Sequence, residues 1–122
     1  MGKITTKEAP SAIGPYSQGI EANGFLFVSG QIPINPDTGE LIREDIKASA
    51  EQAIKNFFAI VKAGGGKKVV KVTLYLTNPD HFALVNEVYA KYFKDDLPAR
   101  TTVFVSALPK GAPVEIEGIA TY

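Results

Sequence analysis

The sequence predicts an α+β domain, a mixed sheet covered on one face by two helices. Two patterns carry that reading: short apolar runs at period two bounded by turn residues, and two longer stretches at helical spacing. Their order along the chain, ββ(β)αβαββ with the third early strand optional, gives helices layered on a sheet.

Ile20-Glu21-Ala22-Asn23-Gly24-Phe25-Leu26-Phe27-Val28 reads as a β-hairpin. Asn-Gly suits both central positions of a tight type I′ turn, where φ must be positive. The second strand runs on into Ser29-Gly30-Gln31, and Asn35-Pro36-Asp37-Thr38-Gly39 makes a turn. From Ile46 the period changes. Ile46, Ala50, Ala53, Ile54, Phe57 and Val61 follow helical spacing, with Asp45 as N-cap and Gly64-Gly65-Gly66 as the stop. Val70, Val72, Leu74 and Leu76 then alternate with Lys71, Thr73 and Tyr75, a strand with one buried face. Asn78-Pro79 supplies the N-cap and first position of a second helix. Its apolar stripe is Phe82, Val85, Tyr89 and Tyr92; Leu84 and Val88 lie off the stripe, so burial on more than one side is expected. Asp95-Asp96-Leu97-Pro98 ends it, and two strands carrying charge follow. With no repeat, low-complexity run or linker, a single domain over residues 1–122 is expected.

Composition narrows the function. A chain of 122 residues can bury its own core. Lys+Arg and Asp+Glu are both 13, so the formal net charge is zero. That balance lacks the basic excess of a nucleic-acid binder, and no nucleic acid is expected as a partner. Near-neutral chains associate more readily, which favours a specific oligomer. Cysteine is absent, which removes disulfides, thiolate nucleophiles and thiolate metal sites and fits a reducing compartment. The N-terminus lacks a signal-peptide core, and no segment approaches the ~18 apolar residues of a membrane helix. A cytoplasmic protein without membrane contact is the expectation.

The chemistry concentrates in the last two strands. Arg100 opens the first; Glu115 and Glu117 interrupt the second within Val114-Glu115-Ile116-Glu117-Gly118-Ile119-Ala120. Charges buried without partners are costly, so these groups reach water, pair with one another, or serve a ligand. A guanidinium matches a carboxylate bidentately, and a carboxylate can activate water. Glu115 and Glu117 share a strand face, and for Glu115 the solvated-face reading is favoured. Asn86 lies near the apolar stripe of the second helix and needs partners, a ligand or a loop. Tyr16 follows a rigid Gly14-Pro15 turn and either closes a pocket or packs as an ordinary aromatic. In Ser29-Gly30-Gln31, Gly30 permits close approach to backbone or marks a bulge.

Other motifs fail. His81 is the only histidine and sits at a helix start, where an exposed role is expected. Gly64-Gly65-Gly66-Lys67-Lys68 is no P-loop, because a helix precedes it and Lys68 stands where Ser or Thr belongs. Asn35 to Gly39 opens no calcium loop, since Glu40 and Ile46 occupy the diagnostic positions. One histidine and no cysteine leave carboxylates alone for a metal, so no metal or other cofactor is expected.

With these residues in view, the chain resembles the Rid family, the YjgF-type reactive intermediate deaminases. The likeness runs nearly end to end: Ala9-Pro10, Ile13-Gly14-Pro15-Tyr16-Ser17-Gln18, Ser29-Gly30-Gln31-Ile32-Pro33, Asn86-Glu87-Val88-Tyr89, Pro98-Ala99-Arg100, Leu108-Pro109-Lys110 and Val114-Glu115-Ile116-Glu117. The resemblance implies a chorismate-mutase-like subunit in a homotrimer with clefts between subunits. It implies hydrolysis of enamines and imines, typically 2-aminoacrylate and 2-iminopropanoate, to 2-oxo acids and ammonia. Carried over by position, Arg100 clamps the substrate carboxylate, backbone groups of Gly30 and Thr102 help hold it, and Glu117 positions or activates water. Tyr16, Ser29 and Asn86 line the cleft. Thr102 stands where the family often has cysteine, and Thr101 where a smaller residue is common, which narrows the pocket. The alternative is a non-catalytic regulatory trimer binding a small acid. Some relatives have been described as ribonucleases, which the zero net charge and single histidine argue against here.

Overall fold

The computed structural model describes residues 2–122. Six strands form one sheet: β1 (Gly2–Ile4), β2 (Gly19–Ala22), β3 (Phe25–Gln31), β4 (Lys68–Leu76), β5 (Ala99–Phe104) and β6 (Val114–Thr121), in the order β1-β2-β3-β6-β4-β5. Helices α1 (Ile46–Ala63) and α2 (Phe82–Tyr92) pack together, and their buried faces join the core on one side of the sheet. The expected α+β architecture holds. The optional strand after the hairpin does not form among the described residues; instead an unexpected strand, β1, precedes the hairpin and pairs only with β2.

Local chemistry sets the boundaries. Asn23 (φ 53°) and Gly24 (φ 80°) make the β2–β3 turn, with Ala22 opposite Phe25. The Asp45 side chain accepts a hydrogen bond from the backbone N–H of Lys47 and starts α1 one residue later, as its spacing predicts. Gly65 (φ 75°) turns the chain away after the helix. Asn78 caps a 3-10 turn, Pro79–His81, through the N–H of Asp80, so Pro79 begins that turn and α2 follows from Phe82.

β4 and β5 run parallel because α2 carries the chain back across the sheet; the other neighbours are antiparallel. The core contains Leu26 and Val28 of β3, Val72, Leu74 and Leu76 of β4, Ile116 and Ala120 of β6, and Phe57 and Ile60 of α1. Two expectations are corrected. The β4–β6 register slips between Val69 and Lys71, so Val69 rather than Val70 enters the core. Helix α2 buries one side only: Val85, Val88 and Tyr89 are inside, while Leu84 is exposed.

The opposite sheet face carries no helix. Phe27 pairs with Ile119 and Phe25 with Thr121 there, and both phenylalanines stay exposed, at 45% and 43%. Farther along β6 the same face presents Glu117 and Glu115.

Candidate active site

A β-bulge begins the site. Val28 pairs with Gly118 and Gln31 with Ile116, so two residues, Ser29 and Gly30, stand opposite Glu117. Bulges re-aim side chains and bend the strand that carries them. Here the bend opens a cavity of about 620 Å³ whose lining includes Tyr16, Ser29, Gly30, Lys110, Glu115 and Glu117.

The wall is the loop between β1 and β2, held from behind by Gln18. Its buried amide accepts from the Thr6 N–H at 2.7 Å and donates to the carbonyls of Thr6 and Pro10 at 3.0 and 2.8 Å. The Ser29 hydroxyl donates to the Ser17 carbonyl and pins the same loop. Gly14 adopts φ 126°, a conformation that side chains resist, and Tyr16 donates its N–H back to the Gly14 carbonyl. That turn sets Tyr16 at the mouth of the cavity, where the residue is 52% exposed.

On the floor, the two glutamates occupy different environments. The Tyr75 hydroxyl of β4 donates to Glu117 Oε1. That bond, then burial, then the charges of Glu117 and Glu115 push the Tyr75 phenol up to about 12. Tyr75 therefore remains a donor at neutral pH. Glu115 is partly buried rather than lying on a solvated face. A side chain built on Gly30 would meet Glu115 Oε2 at 1.9 Å, so the carboxyl occupies the room that this glycine leaves. Burial first, and the Glu117 charge second, raise the Glu115 carboxyl above the ordinary glutamate value. Motif reasoning did not single out Tyr75, although its alternation with Val72, Leu74 and Leu76 assigns it to the polar face.

Arg100 lies elsewhere. It pairs in register with Val72 and so shares the helix-covered face, away from Glu117. Its Nη1 donates to Asn86 Oδ1 at 2.8 Å, and the guanidinium stacks 4.7 Å from the Tyr89 ring centroid and 5.7 Å from that of Phe82. These contacts fix the plane of the guanidinium. Burial pushes the Tyr89 hydroxyl up, opposed by the charge of Arg100. Asn86 is itself exposed, and its partner is the arginine rather than a loop. Arg100 and Asn86 line a second cavity of about 280 Å³ with Tyr89, Leu97 and Pro98. Among the described residues the one ion pair is Lys47–Glu87, so no carboxylate neutralises Arg100.

The residues singled out in the sequence thus form two groups within one chain. Tyr16, Ser29, Gly30 and Glu117 meet in the larger cavity; Arg100 and Asn86 meet beside α2. Thr102 lines neither of these cavities and pairs with Leu74 on β5, the edge strand, which leaves one side of its backbone without a strand partner. His81 is partly buried rather than exposed, and among the described residues its Nδ1 has no hydrogen-bond partner.

Comparison with known proteins agrees with this architecture. Residues 6–122 match the family model described as Endoribonuclease L-PSP. The chain is 52% identical over 119 residues to a RutC family protein of Pyrococcus horikoshii, covering 96% of this chain and 94% of that one. It is 44% identical to the mouse 2-iminobutanoate/2-iminopropanoate deaminase, covering 96% of this chain and 88% of the mouse protein. The crystal structure of Escherichia coli TdcF with bound serine superposes with a TM-score of 0.95 at 41% identity, over 100% of this chain and 99% of that one.

Proposed function

Because the chain belongs to the Endoribonuclease L-PSP family, the YjgF/Rid family, we propose that it hydrolyses reactive enamines and imines such as 2-aminoacrylate and 2-iminopropanoate to 2-oxo acids and ammonia. The observation that carries this reading is Arg100: a guanidinium oriented by Asn86 and Tyr89 and lacking a carboxylate partner among the described residues. Such a fork binds a substrate carboxylate bidentately. Backbone groups of Gly30 and Thr102 complete the clamp. Glu117, held by Tyr75, takes a proton from the attacking water. The imine carbon is already electrophilic, so positioning and a base supply most of what hydrolysis needs.

Two half-sites on opposite sheet faces require more than one copy. The homotrimer joins the uncovered face carrying Phe25 and Phe27 to neighbouring chains and brings the Arg100 group of one copy to the Glu117 cavity of the next. Sedimentation at micromolar concentration is expected to give the mass of three chains; a monomer overturns the shared site. Among the described residues no helix is long and apolar enough to cross a membrane, and we assign the protein to the cytoplasm.

The test of activity couples an enzyme that releases 2-aminoacrylate to semicarbazide trapping. Added protein is expected to lower the trapped fraction by speeding imine loss, and Glu117→Gln to remove most of that effect, about a hundredfold or more in rate. No acceleration by the native protein sinks the hydrolase reading. The second reading is a non-catalytic trimer that binds a small acid and regulates a partner. It is favoured by the serine bound in the related TdcF structure. Binding that survives Glu117→Gln without native turnover would select it. Zero net charge gives no support to RNA cleavage as the main activity.

A further inference from the structure

Strand β4 starts before its neighbour on one side does. Lys68 and Val69 pair with Thr121 and Ala120 of β6, but β5 joins the ladder only at Lys71, opposite Ala99. Over Lys68–Val70 the strand therefore has no partner on the β5 side, and such an edge offers unpaired backbone donors and acceptors. The gap is a separate cavity of about 290 Å³. Its floor is aromatic: the Phe58 ring of α1 lies 6.1 Å from that of Tyr92 in α2 and 5.2 Å from that of Phe93, which follows α2. Lys67 and Lys68 line it at the start of β4, and Asp95 and Asp96 line it from the loop that leads to β5. Asp96 adopts φ 49°, a left-handed turn that aspartate tolerates. Among the described residues the one ion pair is Lys47–Glu87, so neither lysine pairs with either aspartate and no ion pair closes the notch.

Each part of the notch narrows what can occupy it. The aspartates repel a simple anion such as phosphate, and the lysines repel a simple cation; a ligand carrying both signs answers both. The free edge of three residues is too short to template an added strand, since strands typically run ~5–6 residues. The volume lies at the small end of the range for ligand sites, about 300–1,000 Å³, and the aromatic floor takes an apolar group. We propose that the notch binds a free α-amino acid with an apolar side chain. Its carboxylate faces Lys67, Lys68 and the free backbone edge, its ammonium faces Asp95 and Asp96, and its side chain rests on Phe58, Tyr92 and Phe93. Binding here requires no turnover and so stands whether or not the protein is a hydrolase.

The notch shares a wall with the Arg100 cavity, because Phe93 and Pro98 line both. Phe93 stacks on Tyr89 with ring centroids 4.1 Å apart, and Tyr89 carries the Arg100 guanidinium. An occupant of the notch therefore touches the support of that guanidinium. All four charged residues of the notch are exposed, so each pairing contributes modestly and the affinity is expected in the millimolar range.

The experiment titrates L-leucine into the 15N-labelled native protein and follows backbone amide resonances. It is repeated with 4-methylpentanoate, which lacks the ammonium, and with L-leucinamide, which lacks the carboxylate. L-leucine is expected to shift the amides of Lys67, Lys68, Val69, Asp95 and Asp96 to saturation, with smaller shifts at Phe93 and Tyr89 through the shared wall. Each analogue is expected to bind there about fivefold more weakly or worse. Asp95→Asn combined with Asp96→Asn is expected to weaken L-leucine by a similar factor and not to weaken 4-methylpentanoate, with circular dichroism unchanged. No saturable shift at these five amides up to the solubility of leucine overturns the proposal. So does equal binding of leucine and 4-methylpentanoate, which would make the notch a plain anion site. Shifts confined to Asn86, Tyr89 and Arg100 would place leucine on the guanidinium instead and overturn it as well. If the double variant does not fold, the comparison of leucine with its two analogues on the native protein decides alone.

Discussion

Replacing Arg100 by alanine is expected to reduce kcat/KM for 2-imino acids by about a hundredfold or more. Truncating one partner of a desolvated charge pair costs about 2–5 kcal/mol, and each ~1.4 kcal/mol is tenfold. The guanidinium is held by three side chains that leave its outer edge available: Asn86 accepts from Nη1, Tyr89 lies beneath it and Phe82 flanks it. Lysine keeps the charge but neither the planar fork nor the stacking, so Arg100→Lys is expected to recover little. The same change is expected to spare an imine that lacks a carboxylate, because that substrate never used the clamp. Trapping assays on the two substrate types separate these outcomes. Equal losses on both would mean that Arg100 holds the fold rather than the substrate.

The largest expected effect on stability comes from Phe57. Its ring is fully buried in α1 and fills the place where Gly118 of β6 has no side chain; a Cβ there would meet the ring at 3.0 Å and the Lys71 carbonyl at 2.4 Å. Helix and central strand approach closely because one residue is large and the other has nothing. Phe57→Ala opens a void beneath the strand that carries both glutamates and is expected to cost about 3–5 kcal/mol. The measurement is the urea midpoint at fixed protein concentration, since association shifts apparent stability. Gly118→Ala is not a remedy, because the backbone oxygen of Lys71 cannot withdraw without disturbing the β4–β6 ladder. A loss below 1 kcal/mol for Phe57→Ala would show that the core collapses around the gap.

Most of the fold was legible because its signals are local. Asp45, the apolar stripe of α1 and the Asn23-Gly24 turn act within a few residues of the features they set. β1 was not legible: three residues paired only to β2 carry too little pattern. Val70 was misassigned because alternation assumes an unbroken ladder, and the slip between Val69 and Lys71 belongs to the partner strand as much as to β4. The site divides in the same way. The turn at Gly14 and the polar step Ser29-Gly30 marked the larger cavity by composition, and family resemblance supplied the functional roles. The relation of Arg100 to Glu117 was beyond pattern, because the face of each depends on the register of two strands against β4. Glu115 was undervalued for a related reason. A strand face counts as solvated only while nothing covers it, and here the loop between β1 and β2 walls the cavity that Glu115 lines.

The bulge at Ser29 and Gly30 has a consequence for how such a chain can change over time. Upstream of it Leu26 and Val28 face the helices; downstream Gln31, not Gly30, is the next buried residue. The doubled position works as a clutch between two lengths of one strand. Residues 25–28 answer to the packing of α1, while residues 29 and 30, with the loop they hold, answer to whatever occupies the cavity. Substitutions that retune substrate choice can accumulate on the second segment while the hydrophobic interior stays in phase. A scaffold built this way can diversify its chemistry without renegotiating its stability.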